Sequence, residues 1–259
     1  MKLFRKLREQ FIVKLAYINY FKYAIGEIVL VVIGILIALQ INNWNEIRKQ
    51  EIVIQNYYVK ISNEIDSLLE LLENNTGYTE YMTKELKYCI DYMESKRIDS
   101  NAVYLEKLKL TTDCASQTFF YPVINEFLSQ GYLTKVNDKK ISKYFENLSY
   151  YQQQINVNDE DRTNYCVMQL QPFIQKNINY SDIMLDSGVN PHFDLPDVST
   201  KNGPKTDFQK MQNSIELWNL IYRKIEIERD ALVINKSLIS TLKKIKKQIE
   251  TLKIKDDKD

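Results

Sequence analysis

The single histidine is the first place in this chain where chemistry could occur. His192 lies in the sequence NPHFDLPD, and Asp194 and Asp197 follow it closely. An imidazole acts as a general base when a carboxylate or a hydroxyl nucleophile folds beside it. An enzyme would therefore need acidic residues that converge on His192. One histidine cannot make a His-rich metal site, and we favour solvated loop residues that bind nothing.

A short acidic run, Asp159, Glu160 and Asp161, is the second candidate. Carboxylates bind cations, but this run lacks the alternating oxygen ligands and the glycine of a calcium loop. A solvated helix face is the preferred interpretation. The chain contains no GxxxxGK[ST], GxGxxG or GxSxG motif, so phosphate loops and nucleophile elbows have no sequence basis. We therefore predict no catalytic, cofactor-binding or metal-binding residue, and a protein that is not an enzyme.

Three cysteines, Cys89, Cys114 and Cys166, lie far apart without CxxC spacing, which argues against a zinc site. Buried free thiols are the favoured interpretation. If the domain is exported to an oxidising compartment, one pair could be bridged.

Composition favours long helices that position these residues. The chain has only 6 Gly and 5 Pro, too few for the many tight turns of a barrel or a sandwich. The 35 basic and 34 acidic residues nearly balance, so we expect no nucleic-acid partner. Residues 1–22 are the exception, because they carry six Lys or Arg against one Glu.

One segment, Tyr23 to Ile41, is long and apolar enough to cross a bilayer. As a helix it spans about 28 Å, close to the roughly 30 Å of bilayer hydrocarbon. Glu27 lies one turn inside its edge, where the carboxylate can reach water. The alternatives are a buried core element or a cleaved signal peptide, but the apolar run is longer than a signal peptide needs and lacks its cleavage site.

The basic residues before this span predict its direction. Lys and Arg concentrate on the cytoplasmic side, so the N-terminus should be cytoplasmic and the main domain periplasmic or otherwise extracytoplasmic, with the anchor in the inner membrane. Trp44 should lie at the water interface. Gly34 and Ala38 form a small-xxx-small pair that would let two such helices approach closely. Residues 1–22 form either a basic amphipathic helix on the inner leaflet or a disordered tail.

The block YAIGEIVLVVIGILIALQINNWNE, from Tyr23 to Glu46, resembles the N-terminal signature of an uncharacterised family of single-pass membrane proteins from Bacteroidetes. A second stretch, 127–133 with Val136, Asn137 and the pair Tyr150 and Tyr151, resembles the same family loosely. The resemblance implies a membrane location and a helical architecture. It implies no catalytic residue, because the family has no assigned activity.

Beyond the anchor, apolar residues recur in heptads, which indicates a helix with a packing stripe. The first members of the stripe are Ile47, Ile54, Tyr58, Ile61, Ile65, Leu68 and Leu72. It resumes in the same phase at Met82, Leu86, Cys89 and Met93. The sequence Asn74 to Gly77 interrupts it, so we expect a turn there.

Helix signals continue along the chain. We expect a brief helix through Leu110, a helix that starts at Pro122 and is closed by Gly131, and a helix capped by Asn137 or Asp138. This last helix should reach towards Ile178 with an interruption at Pro172. Residues 186–204 hold most of the remaining Gly and Pro and should form a loop.

The final segment predicts one long helix that packs lengthwise against the heptads after the anchor. Its expected stripe contains Phe208, Met211, Ile215, Trp218, Tyr222, Ile225 and Leu232, and shifts phase before Leu242, Ile245, Ile249 and Leu252. The lysine-rich tail, 243–255, is either a frayed helix end or a contact with a membrane surface or an acidic partner.

Together these patterns predict an all-α protein, with an N-terminal transmembrane helix followed by an elongated helical bundle with coiled-coil-like packing. The expected organisation is a basic leader at 1–22, a signal anchor at 23–43, a bundle at 44–252 and a polar tail at 253–259. We expect a non-catalytic interaction or scaffold protein, whose partners are the bilayer and a protein or a second copy. The alternative is an extracytoplasmic domain that senses a small molecule or envelope stress.

Overall fold

A computed structural model describes the backbone of residues 2–95, 101–114, 117–136, 138–179 and 203–256, and the side chains of residues 25–253 within those ranges apart from Ala102. Every regular element in these ranges is helical, which confirms the all-α prediction. The α-helices are α1 (Lys2–Ser95), α2 (Asn101–Leu108), α3 (Pro122–Ser129), α4 (Lys139–Tyr165), α5 (Gln171–Asn177), α6 (Phe208–Gln212) and α7 (Ile215–Asp256).

The chain divides into two compact units, Met1–Tyr57 and Tyr58–Asp259. In the first unit the backbone of α1 is helical from Lys2, which agrees with the helical alternative for residues 1–22 but makes them part of α1 rather than a separate short helix. From Ile25 onward α1 contains a window with a mean hydropathy of 2.3, none of which is buried. This part of α1 is long and apolar enough to cross a membrane.

In the second unit α1 buries most of the predicted heptad stripe, from Tyr58 to Met93. Ile47, predicted to belong to the stripe, is instead exposed. The predicted turn at Asn74 to Gly77 is wrong, because α1 continues through it without a break. Thr76 and Thr79 are buried and carry the stripe across the gap, so its helical phase is never lost.

Helix α7 also buries a heptad stripe, but not the one that the sequence suggested. Leu220, Ile227 and Thr241 are buried beside this stripe, whose own positions alternate by four and three without a phase shift. The positions of the stripe are Leu217, Ile221, Lys224, Glu228, Ala231, Asn235, Leu238, Leu242, Ile245 and Ile249. The predicted stripe from Ile215 to Leu232 is wrong as a core, because Ile215 and Tyr222 are exposed and Trp218, Ile225 and Leu232 are only half-buried. Lys224, Glu228 and Asn235 occupy core positions, so the buried stripe is not visible as a run of apolar residues in the sequence.

Helices α1 and α7 pack lengthwise, as predicted, and they run antiparallel. Three ion pairs record the direction, since residues later in α7 pair with residues earlier in α1. They are Lys236–Glu80 at 2.6 Å, Lys243–Glu73 at 2.9 Å, and Lys246–Asp66. Helix α4 packs against α7 and is also antiparallel to it, because Arg162 meets Glu228 and Asp138 meets Gln248. The second unit is therefore a helical bundle built on α1, α4 and α7.

The shorter elements follow local signals. Pro122 opens α3, and the carboxylate of Glu64 on α1 accepts the N–H groups of Val123 and Ile124 at 2.9 Å each. This contact satisfies orphan donors at the start of the helix. Gly131 closes the turn after α3 with a φ of 71°, the left-handed conformation that glycine adopts at least cost.

Asp138 caps α4 as predicted, accepting the N–H groups of Lys140 at 2.8 Å and Ile141 at 3.0 Å. The bond from Ile141 and that from Lys140 hold the pKa of this carboxyl below its usual value. The helix then passes through one π-helical turn, Cys166–Leu170, directly before Pro172. A π-turn accommodates the missing N–H and the ring of proline, so the predicted interruption is confirmed.

The predicted single C-terminal helix is split in two. Helix α6 ends at Gln212 and α7 starts at Ile215, with the hydroxyl of Ser214 accepting the N–H of Leu217 at 3.1 Å. Asn and Ser side chains compete for backbone groups and favour such caps. The tail is not frayed, because α7 runs to Asp256. The predicted loop at 186–204 lies almost entirely outside the described residues.

Candidate functional site

The four residues predicted for the anchor all lie on the exposed part of α1. Glu27, Gly34, Ala38 and Trp44 are all exposed, and a Cβ at Gly34 would meet nothing within 4 Å. The guanidinium of Arg48 lies 5.9 Å from the centre of the Trp44 ring. A cation over an indole face suits a lipid headgroup region, where a ring is half in water.

A surface groove between α1 and α7, here called the α1/α7 groove, is an apolar concavity in the described part of the second unit. Its volume is about 620 Å³. Ile90 of α1 and Tyr222, Ile225 and Leu232 of α7 form its apolar floor. The α7 residues come from the stripe that the sequence predicted for the core. Helix α7 therefore has two apolar faces, one buried in the bundle and one turned towards this groove.

The rim of the α1/α7 groove is mostly basic. Lys84, Lys87 and Arg229 border it, against Glu80 alone. Glu80 is paired with Lys236 and Lys87 is paired with Asp91. Lys84 and Arg229 have no carboxylate within ion-pairing distance in the described part of the chain. The groove therefore combines an apolar floor with unneutralised positive charge.

A cluster of charged side chains, here called the polar network, lies inside the bundle. Arg162 of α4 forms two parallel hydrogen bonds with Glu228 of α7, both 3.0 Å long, and a third with Asp159 at 2.9 Å. Arg162 and Glu228 are almost completely buried. A bidentate guanidinium–carboxylate pair fixes both distance and orientation, so it sets the register between α4 and α7.

Lys224 extends the polar network towards a disulfide. Its ammonium lies 3.0 Å from Glu228 and donates to the carbonyl oxygen of Asp113 at 2.6 Å. Burial lowers the pKa of Lys224, and the Glu228 carboxylate opposes that shift. Cys166 lies 3.7 Å from the same ammonium and forms a disulfide with Cys114. The expectation of free thiols is therefore wrong for this pair, whereas it holds for the buried Cys89.

The polar network also holds the segment that crosses the bundle before α3. The backbone N–H of Gln117 donates to Asp159 at 2.9 Å. The Gln117 side chain donates to Thr79 of α1 and accepts from Asn235 of α7, each at 3.2 Å. The adjoining cavity has a volume of only about 10 Å³, room for at most one water molecule. These charges therefore join three helices and one connecting segment, and their role is structural.

The three residues of the acidic run, which the sequence suggested as candidates for cation binding, lie in different surroundings. Asp159 of the acidic run is buried in the polar network, so a fully solvated face is wrong at this position. Glu160 is exposed, and Asp161 pairs with Arg223 at 2.8 Å. In the described part of the chain, no three His, Cys, Asp or Glu side chains are grouped as a metal site requires. His192, Asp194 and Asp197 lie outside the described residues.

A second concavity, the α5/α7 cleft, has a volume of about 950 Å³. Aromatic and basic side chains line it, among them Tyr165, Phe173, Lys210 and Arg223. The Tyr165 hydroxyl donates to the carbonyl oxygen of Leu220, which turns its polar end away from solvent. The cleft is within the size range of small-molecule sites.

Sequence reasoning missed Arg162, Lys224 and Glu228, which carry the buried charge. A signal was available in α7, because Lys224, Glu228 and Asn235 fall in the four-three register of Leu217, Ile221, Leu238 and Leu242. Charged residues at core heptad positions fix register and partner choice in coiled coils. Because these three residues are charged or polar, the apolar pattern of α7 does not contain them.

Comparison with protein families gives a match to part of the chain. Residues 27–93 match a family of unknown function, DUF6090. The matched region contains the apolar part of α1 and its continuation into the bundle. Searches of curated proteins and of solved structures return no match to this chain. Likeness to an uncharacterised family is thus supported over residues 27–93, and it brings no activity with it.

Proposed function

We propose that this chain is a membrane-anchored, non-catalytic interaction protein, whose helical bundle binds a partner through the α1/α7 groove. The observation that carries the proposal is the second apolar face of α7. Tyr222, Ile225 and Leu232 repeat at helical spacing, as a packing stripe does, and they line the groove with Tyr222 51% exposed and the other two half-buried. An amphipathic face left open beside basic residues is a common docking site for another helix.

The bilayer is the proposed location, supported by the uniformly exposed apolar window of α1. Twelve Ile, Leu and Val residues between Tyr23 and Ile41 would favour lipid by very roughly 5 kcal/mol on an insertion scale. The basic residues before the window support the proposal of a cytoplasmic N-terminus and an anchor in the inner membrane. We further propose kinship with single-pass proteins of Bacteroidetes, on the resemblance of the Tyr23–Glu46 block.

The disulfide supports an extracytoplasmic position for the bundle. Cys114 and Cys166 bridge the crossing segment to the end of α4, with their Cα atoms 6.1 Å apart. Structural disulfides persist in oxidising compartments and are rare in the cytosol. The bridge therefore agrees with the direction that the basic leader predicts.

Site-specific photocrosslinking in native membranes tests the interaction. A photoreactive residue at Tyr222, in the groove, should give a stoichiometric adduct with a protein. The same residue at Lys244, exposed on α7 outside the groove, should not. Equal labelling from both positions, or none from Tyr222, would contradict the proposal.

Small-molecule sensing is the second candidate function, and the α5/α7 cleft is the observation that favours it. Its basic residues, Lys176, Lys210 and Arg223, outnumber the single acid Glu216. Anionic ligands are therefore the class to test. Screening such compounds for a thermal shift, with K210E as the control that should abolish it, decides this alternative. Absence of any shift across the screened class counts against it.

A further inference from the structure

We propose that the occupant of the α1/α7 groove is a second copy of this chain, which inserts the outer face of its own α4. This inference rests on the proposed function, because it names the partner of the same groove. The relevant face of α4, here called the α4 stripe, comprises Glu146, Tyr150, Val157, Glu160 and Asp161.

The shape of the groove favours a helix as its occupant. Its walls are two antiparallel helices, α1 and α7, and its floor extends from Tyr222 to Leu232. Ten residues of helix are about 15 Å long. Small-molecule sites usually bury most of the ligand surface, whereas this groove is open along its length. A helix laid between two helices buries one face and leaves the other in water, as in a three-helix packing.

The α4 stripe has the composition that such a helix needs. Tyr150 and Val157 are one heptad apart and are 56% and 58% exposed. Glu146, Glu160 and Asp161 share this face of α4, because the five residues of the stripe lie within about a third of the helix circumference. Large exposed apolar side chains on one helical face point to a partner rather than to water.

Charge is complementary between the two surfaces. The α4 stripe carries three carboxylates, and the groove rim carries Lys84, Lys87 and Arg229. Glu160 has no basic partner in the described part of the chain, just as Lys84 and Arg229 have no acidic one. Docking would bring Glu160 of one copy close to Lys84 and Arg229 of the other. The same basic residues would repel a basic helix.

The part of the α4 stripe from Val157 to Asp161 lies at the height of the groove along the bundle, whereas Glu146 lies beyond the groove, because Arg162 meets Glu228 and Asp138 meets Gln248. Asp161 of α4 pairs with Arg223 of α7, and Val157 borders a surface hollow with Asp230 and Val233 of α7. The groove uses the same part of α7, from Tyr222 to Leu232. Two copies anchored in one bilayer by the same segment would present equivalent residues at equal depth. The Val157–Asp161 part of the stripe of one copy therefore meets the groove of the other without sliding.

A two-fold axis parallel to α7 makes the contact reciprocal. Within one bundle α1 and α4 both pack on α7, and the groove lies on its α1 side. Rotation by half a turn places the α4 of each copy opposite the α1 of the other. Both grooves are then filled, and the assembly closes as a dimer instead of growing as a filament.

Charge-reversed pairs of the full-length protein, purified in detergent, test the proposal. The groove variant is K84E/R229E and the stripe variant is E160K/D161K, at the end of the stripe that is level with the groove. All four side chains are exposed, and only Asp161 is ion-paired, to Arg223 on the surface. Each variant alone should self-associate roughly tenfold or more weakly than the wild type, because each interface gains repulsion. A mixture of the two variants should recover wild-type affinity, since opposite charges again face each other at both contacts.

The matched control is K244E/K247E, which makes the same charge change on α7 away from the groove and should leave the dimer intact. A second measurement uses introduced cysteines: V157C in one tagged copy and K87C in another should crosslink, whereas V157C and K244C should not. The inference is overturned by a wild-type monomer at micromolar concentration, or by a dimer that neither variant weakens. In those cases a photocrosslinked adduct of Tyr222 with a different protein would still support the proposed function. Loss of that adduct as well would contradict both the proposed function and the inference of a second copy.

Discussion

Replacing Glu228 with glutamine tests the polar network most sharply. The carboxylate is fully buried and accepts hydrogen bonds from Arg162, both 3.0 Å long, while its contact with Lys224 is also 3.0 Å. Glutamine keeps the shape but removes the negative charge that two buried cations share. Breaking a buried pair in this way costs about 3–5 kcal/mol. For a unit of this size, that corresponds to a fall in Tm of roughly 6–20 °C.

The assay is thermal unfolding of the full-length protein in detergent, followed by circular dichroism at a helical wavelength. The matched control is E73Q. Glu73 of α1 forms an ion pair with Lys243 of α7, and both side chains of this pair are half exposed. An exposed pair contributes about 0–1 kcal/mol. A further variant, E228Q/K224M, removes the unpaired ammonium as well, and should recover about 1–3 kcal/mol of the loss. If E228Q and E73Q melt together, the argument that buried charges hold the bundle is refuted.

Three further changes have distinct expected outcomes. Gly77→Ala should raise the free energy of unfolding by about 0.5–1 kcal/mol, because α1 is helical there and a Cβ would meet nothing within 4 Å; destabilisation would point to the turn that the sequence suggested. Cys114→Ser should lower stability by about 2–4 kcal/mol and make Cys166 reactive to thiol reagents after unfolding under non-reducing conditions; unchanged stability would contradict a bridge. Tyr104→Phe should stabilise by up to about 1 kcal/mol, since the hydroxyl is buried with no hydrogen-bond partner among the described residues. Burial also raises the pKa of Tyr104. The folded protein therefore keeps a proton that the unfolded chain loses above pH ~10. The free energy of unfolding should fall as pH rises through that region. The phenylalanine variant should lose less stability than the wild type there, and parallel pH profiles from urea titrations would oppose this explanation.

Local signals in the sequence were sufficient for several parts of the fold. Gly131 is the clearest case, since a left-handed turn after a helix favours glycine over every other residue. Asp138 and Pro122 act at helix starts for equally local reasons. The apolar window of α1 needs only composition and length. These features could be predicted because the physical cause lies within a few residues of the effect.

Tertiary contacts decided the rest. Asn74 to Gly77 contains weak helix formers, yet the buried Thr76 and Thr79 hold this part of α1 helical against its neighbours. In α7 the charged Lys224 and Glu228 are core residues only because Arg162 lies opposite them. The four-three register of α7 could indicate that Lys224 and Glu228 are core residues, but it could not identify Arg162, far away in the chain, as their partner. The sequence did not predict the groove, because its apolar residues Tyr222, Ile225 and Leu232 were expected in the core.

Protease accessibility in spheroplasts tests the central claim of a tethered extracytoplasmic bundle most directly. The protein, tagged at both ends, should stay with the membrane after alkaline carbonate extraction and be solubilised only by detergent. Protease added outside should remove the C-terminal tag and cut the bundle, while residues 1–22 and their tag remain protected. A protein that is soluble without detergent, or a bundle that survives until the membrane is broken, would contradict the account.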